Sequence, residues 1–198
     1  MARIPDYSRA TNAAYMELQN YTGPYPAIDV FQIVRSDKHI RVKSFTEAAS
    51  YLGCTHNEFA YEVASSESGY TVIDPSTGNS IIYYNNQKCE ETIRFVLSHE
   101  LGHIRLGHIE DDETANKEAN CFARNLLCPV PIIQEAKLLT AEEYVETFYI
   151  SHRMAEVALQ YYKSDLYYAR KDLIEAVRDH SYCAITGYSL RELYGYYM

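Results

Sequence analysis

The residues of this chain best suited to chemistry are two histidines four positions apart, with a glutamate directly after the first. They lie in Ser98-His99-Glu100-Leu101-Gly102-His103. On a helix, positions four apart sit one turn apart, so His99 and His103 project from the same face. Two imidazole nitrogens so placed can bind one Zn²⁺. Glu100 can reach a metal-bound water without ligating the metal itself. That is the general-base position in metal-assisted peptide hydrolysis. Gly102 lies inside the same helix, where glycine costs about 1 kcal/mol relative to alanine. Such a cost points to close approach by another element or by substrate.

A catalytic zinc takes three protein ligands and keeps one position open for water. Glu110, Asp111 and Asp112 follow in the connection, and Glu113 and Glu118 in the next helix. That helix, predicted over Glu113 to Leu127, carries Ala115, Ala119, Phe122, Ala123, Leu126 and Leu127 on one broad face. Glu118 borders it. A carboxylate at the edge of a buried stripe is costly unless paired or bound to metal. Glu118 is therefore the expected third ligand, with Glu113 as the alternative; the plain reading of either is an exposed acid. Each ligand imidazole needs a partner to orient it, and Asn120 is a candidate. The donor that would stabilise an oxyanion stays open among His108, His152, Arg153, Tyr83 and Tyr84. The plain reading of each is structural.

These residues need elements to position them. Asp6 or Ser8 caps a predicted first helix running to about Asn20, broken by the Gly23-Pro24-Tyr25-Pro26 stretch. A short helix over Ala27 to Arg35 follows, with Pro26 at its start. A strand is expected over His39 to Ser44, then a helix from Thr46 stopped by Gly53, then another over Thr55 to Ala64. The last two mimic a helix-turn-helix. The would-be recognition segment carries Glu58 and Glu62 and no base, so a supporting helical lobe is the preferred reading. Tyr70 to Ile73 and Ser80 to Tyr84 are β-branched and aromatic around a turn-rich Asp74 to Asn79, which reads as a hairpin. The strand Ser80 to Tyr84 is placed beside the cleft, able to pair with an extended substrate. The metal-binding helix runs from Glu90 to about Gly107. After Pro131 the chain reads as helix near Ile132–Leu139, Ala141–Tyr149, His152–Tyr162 and Leu166–Arg178. The expected fold is α+β and mostly helical, with a small antiparallel sheet packed on the active-site helix. Its parts are an N-terminal helical lobe (1–65), a core (66–131) and a C-terminal helical region (132–198) packed on that core.

Composition narrows the partners. With 18 basic and 27 acidic residues, the net charge of −9 repels phosphate backbones, so no direct nucleic acid partner is expected. No apolar stretch approaches the length of a membrane span, and the opening residues lack the apolar run of a secretory leader. Five cysteines without a CxxC pattern suit a reducing cytoplasm, with Cys121 and Cys128 read as buried small hydrophobes. Twenty tyrosines and no tryptophan favour half-buried packing positions. The C-terminal group (Tyr161, Tyr162, Tyr167, Tyr168, Tyr188, Tyr194, Tyr196 and Tyr197) is read as packing in preference to docking.

Two segments taken together resemble a known family. Arg94-Phe95-Val96-Leu97-Ser98-His99-Glu100-Leu101-Gly102-His103, followed by Glu118-Ala119-Asn120-Cys121-Phe122-Ala123-Arg124-Asn125-Leu126-Leu127-Cys128-Pro129, is similar to the ImmA/IrrE metallopeptidases. The resemblance covers roughly Gly69 to Pro131. It implies a zincin-like core and one Zn²⁺ held by His99, His103 and Glu118, with Glu100 as catalytic acid/base. It implies an endopeptidase acting on a protein substrate, commonly a helix-turn-helix repressor of a mobile element or stress regulon. The alternative is a regulator or interaction module that keeps the metal site without catalysis. Three departures stand out: Val96 where Thr is common, Asn116 in place of a frequent Glu two before Glu118, and Cys128 where Met is usual. All three fall outside the expected ligand set.

Overall fold

A computed structural model describes residues 3–110, 112–187 and 192. Asp111, Tyr188, Tyr194, Tyr196 and Tyr197, singled out above, lie outside the described residues. Helix α1 (Tyr7–Gln19) starts where the Asp6 side chain accepts the Arg9 amide, satisfying one of the unpaired donors of a first turn. Ala10, Ala14, Tyr15 and Leu18 form its buried face. Helix α2 (Val30–Ser36) starts later than Pro26 suggests, because the Asp29 carboxylate is the group that caps it. Strand β1 (Ile40–Ser44) leads directly into α3 (Phe45–Leu52), where Ser44 and Glu47 cap each other's backbone amides. Gly53, at φ 73°, ends α3 in the left-handed conformation that glycine adopts without cost. Helix α4 (His56–Glu58) widens into a π-turn over Phe59–Val63. Phe45, Ala48, Ala49 and Phe59 form a small apolar cluster there, flanked by Tyr70 and Tyr83.

Strands β2 (Gly69–Ile73) and β3 (Ser80–Tyr84) make the expected hairpin, with Tyr70 opposite Tyr83. β1 joins the other side of β3 in parallel, giving the order β1-β3-β2. The sheet is therefore mixed, where an antiparallel one was expected; the long crossover through α3 and α4 permits the parallel pairing. β3 is also the central strand, its two edges already bonded, so it cannot accept a substrate strand as expected. Among the described residues β2 is an edge strand, and it is the strand that touches the site.

Helices α5 (Glu90–Arg105) and α6 (Glu113–Leu127) are the most closely packed pair. Gly102 makes that possible. A Cβ there would lie 3.1 Å from the Phe122 ring and 3.2 Å from Ala119 Cα, as the helix-interior glycine implied. The buried Arg94 guanidinium ties α5 to its surroundings. It donates to the carbonyls of Phe148 (2.8 Å), Ile28 (3.1 Å) and Tyr149.

The remaining helices are α7 (Val130–Ala136), α8 (Ala141–Phe148), α9 (His152–Tyr168) and α10 (Lys171–Thr186). α9 continues past its expected end, and α10 starts later than expected. Both shifts have one cause in α1. Ser8 and Asn12 donate to the Tyr168 carbonyl, and Asn12 accepts the Arg170 amide, so α1 side chains cap the junction. One large apolar core draws on α1, α2, β1, β3 and α5 through α10. Among the described residues no helix is long and apolar enough to cross a membrane.

Candidate metal centre

Apolar residues on α5, including Leu97 and Leu101, bury one side of the helix and leave His99, Glu100 and His103 half-buried on the other. The Nε2 atoms of His99 and His103 lie 3.0 Å apart. Two ligands on a tetrahedral zinc, each at 2.0–2.1 Å, are separated by about 3.3 Å, so little adjustment separates this pair from a pair of ligands. Nδ1 of His99 lies 2.9 Å from Asn120 Oδ1. Nδ1 of His103 lies 3.1 Å from Nδ1 of His108. His108, in the turn after α5 and buried, places Nε2 2.8 Å from Glu118 Oε2. On the adjoining strand, Thr71 Oγ1 donates to Glu100 Oε2 at 2.7 Å.

These contacts form one chain of imidazoles from Asn120 to Glu118. Both end atoms are acceptors, so four contacts need four protons. Three neutral imidazoles carry three. The count closes with an added proton, with the Asn120 amide turned so that its nitrogen donates, or with a divalent cation standing between the two Nε2 atoms. In the last case each Nδ1 keeps a partner, as metal-ligating histidines require. The donor chemistry of His99 and His103 thus fits a zinc ion.

Glu118 is where the expectation and the geometry part. Its carboxylate is 2 % exposed and holds three donors. Arg3 reaches Oε2 at 2.7 Å, the Asp6 amide reaches Oε1 at 2.7 Å, and His108 makes the contact already described. Glu118 is therefore not brought to the Nε2 pair; an imidazole stands between it and His103. The physical reason is the turn of α6. Residues two apart on a helix point about 160° apart, and Asn120 is the one that meets His99. Glu113, the alternative ligand, is exposed and pairs with Lys117 at 2.6 Å. Among the described residues no group of three or more His, Cys, Asp or Glu side chains could hold a metal ion.

Asn120 orients His99 as anticipated. Three of the oxyanion candidates make contacts of their own. Tyr83 stacks on Tyr70 and Tyr84 meets Phe31, while His152 pairs with Glu142 and Glu156. Sequence reasoning missed Thr71, Arg3 and the relay role of His108. For His108 a signal existed, a third histidine five residues after the second. For the other two there was none, since both come from distant segments.

Beyond Asn120, a cleft of about 270 Å³ opens between α6 and α9, lined by Tyr7, Lys117, Arg124, Tyr161 and Tyr168 among others. Its floor holds the buried pair Arg124–Asp165, at 2.7 Å. The guanidinium also lies 4.6 Å from the Tyr161 ring centroid.

Comparison with known families finds the IrrE N-terminal-like domain, Peptidase_M78, over residues 39–160. The match spans more than half of the chain. The chain belongs to this metallopeptidase family. The matched region begins before β1 and runs into α9, so it takes in the mixed sheet and the α5–α6 pair as well as the histidine helix. Among curated proteins none matches the chain.

Proposed function

We propose that this member of the family is a zinc-dependent endopeptidase, with His99 and His103 holding one Zn²⁺ through Nε2. The observation that carries the reading is the 3.0 Å approach of the two Nε2 atoms, with Glu100 next to them on the same helix. A bound zinc ion supplies Lewis acidity, lowering the pKa of a water to about 7 and polarising a scissile carbonyl.

The chain's own residues supply the rest. Asn120 and His108 hold the two rings in the orientation that turns Nε2 outward. Glu100 takes a proton from the attacking water and delivers it to the departing amide nitrogen. Thr71 holds one carboxylate oxygen of Glu100, which fixes the base and ties it to the edge strand β2. The substrate in this reading is a protein in the cytoplasm, with a helix-turn-helix repressor as the family resemblance suggests.

A second reading is a metal-binding regulator without catalysis. It is favoured by one observation: the expected carboxylate ligand is occupied by Arg3, Asp6 and His108. Metal analysis of the purified chain beside His99→Ala and His103→Ala, with an assay on an unfolded protein, tests both. Stoichiometric zinc lost in each variant, together with cleavage, supports the peptidase. Zinc without cleavage supports the regulator. Zinc retained in both variants rejects the site.

A further inference from the structure

We infer that the cleft between α6 and α9 is a subsite for a carboxylate, the acidic side chain of a peptide that reaches the histidine pair. The subsite stands on the geometry of the cleft; that its occupant is a peptide rests on the peptidase reading above.

The cleft, of about 270 Å³, is lined by Tyr7, Tyr161 and Tyr168 and by Lys117, with Arg124 and Asp165 at its floor. The Arg124 side chain is 10 % exposed. It gives Nε to one oxygen of Asp165 and Nη2 to the other, each at 2.7 Å. The Tyr161 ring lies against the guanidinium, 4.6 Å from centroid to carbon. That leaves Nη1. Among the described residues it makes no hydrogen bond, and no polar side-chain atom is buried there without a partner. Nη1 therefore meets solvent, and the cleft is the opening that Arg124 lines.

The charges of the lining select the ligand. Asp165 is the only acid in it, and Arg124 occupies both its oxygens. Lys117 pairs with Glu113 across an exposed contact, of the kind that contributes little, so its charge stays available. The lining carries one positive charge in excess, in a chain of net charge −9. A guanidinium held on one edge by an acid presents its remaining donors in a fixed direction, so little freedom is lost when a carboxylate binds. Charged donors at the floor and tyrosine rings on the walls suit a carboxylate on a short apolar stem. Asn120 joins the subsite to the centre. It lines the cleft, and its Oδ1 meets His99 Nδ1 at 2.9 Å. A peptide anchored in the cleft lies against the residue that holds His99.

Binding of the full chain to short alanine-based peptides, each with a single Glu and each beside a Gln counterpart, tests this. The Glu peptides should bind about tenfold more tightly at physiological salt, the scale of one charged hydrogen bond. The net charge of the chain works against that preference, so a general electrostatic attraction does not produce it. Arg124→Lys keeps a cation for Asp165 but gives up the free amino group, and should erase most of the preference. Lys117→Gln, at an exposed position, should cut it several-fold, and decides alone if Arg124→Lys does not fold as judged by circular dichroism. Failure to bind either set, equal binding of the two sets, or a preference that survives both substitutions overturns the inference. So does glutarate displacing a Glu peptide as well as the unlabelled peptide does, since the cleft would then be a site for small acids. Cleavage of the same peptides is followed separately. Cleavage without a Glu preference sinks the subsite and spares the peptidase; a Glu preference without cleavage keeps the subsite and sinks the peptidase.

Discussion

Asn120 Oδ1 and His99 Nδ1 meet at 2.9 Å, joining helices α5 and α6 at the level of the candidate centre. The contact assigns the remaining nitrogen of His99, Nε2, to whatever sits between the two histidines. It also helps to set the rotation of α6 against α5.

Replacing Glu100 by Gln separates chemistry from binding. The amide keeps its place beside Thr71 but cannot take a proton. Zinc content should be unchanged, and cleavage of a labelled unfolded protein should fall by about 10²–10⁴, the usual contribution of a general base. Cleavage at the parental rate would remove Glu100 from the mechanism.

Glu118 has a stability consequence as well. Glu118→Ala strands a buried histidine and a backbone amide, a loss of about 3–5 kcal/mol by the measure of broken buried pairs. Arg3→Ala should cost no more than about 1 kcal/mol, because the Arg3 side chain is 55 % exposed and solvent screens it. Urea unfolding of the two variants side by side checks the contrast.

Gly102→Ala tests the helix contact. Alanine favours the helix by about 1 kcal/mol, but its methyl would press on the Ala119 backbone and the base of Phe122 at 3.2 Å. Overpacking of this kind costs roughly 1–3 kcal/mol. The expected result is a lower melting temperature and weaker zinc binding together. A rise in stability would show that α5 and α6 can separate freely.

The pair Arg124–Asp165 is buried, with side-chain exposures of 10 % and 4 %. Asp165→Asn leaves the guanidinium without its charge partner, a loss of about 3–5 kcal/mol. The double change Arg124→Met with Asp165→Leu should recover most of that loss, since a well-packed apolar pair is often as stable as the ion pair it replaces. Chemical denaturation of the three proteins gives the comparison.

Acid stability should carry a term from Asp37. Partial burial pushes its carboxyl up. The hydrogen bond from Arg105, at 2.7 Å, and the His39 amide outweigh burial and hold it below the usual range. A carboxylate depressed in the folded state stabilises fully above its unfolded value of about 3.9 and stops doing so as pH falls through the folded value. Asp37→Asn should therefore flatten the stability curve below about pH 4. An identical acid slope in both proteins would show that the Arg105 contact does not hold in solution.

Much of this arrangement was legible in the residues because local physics decides it. The bounds of α6 follow from Asp112 capping its start and Cys128-Pro129 ending it, so the predicted span and the observed one coincide. The Gly102 contact was readable because glycine inside a helix carries a cost that only close packing explains. The ends of α9 and α10 were not readable, since Ser8 and Asn12 cap them from more than 150 residues away. The direction of Glu118 was not readable for a similar reason. A carboxylate bordering a buried stripe must find partners, but nothing local says whether they are a metal or an arginine from the first turn of chain.

The grip of Arg3 and Asp6 on Glu118 makes residues at the very front of the described chain part of the histidine cluster's scaffolding. A tag or a protease cut that displaces this whole segment would take away two of the three donors to the Glu118 carboxylate and leave His108 alone on it. Metal titrations should therefore be compared between proteins carrying affinity handles at opposite ends, before any difference in zinc uptake is credited to the histidines themselves.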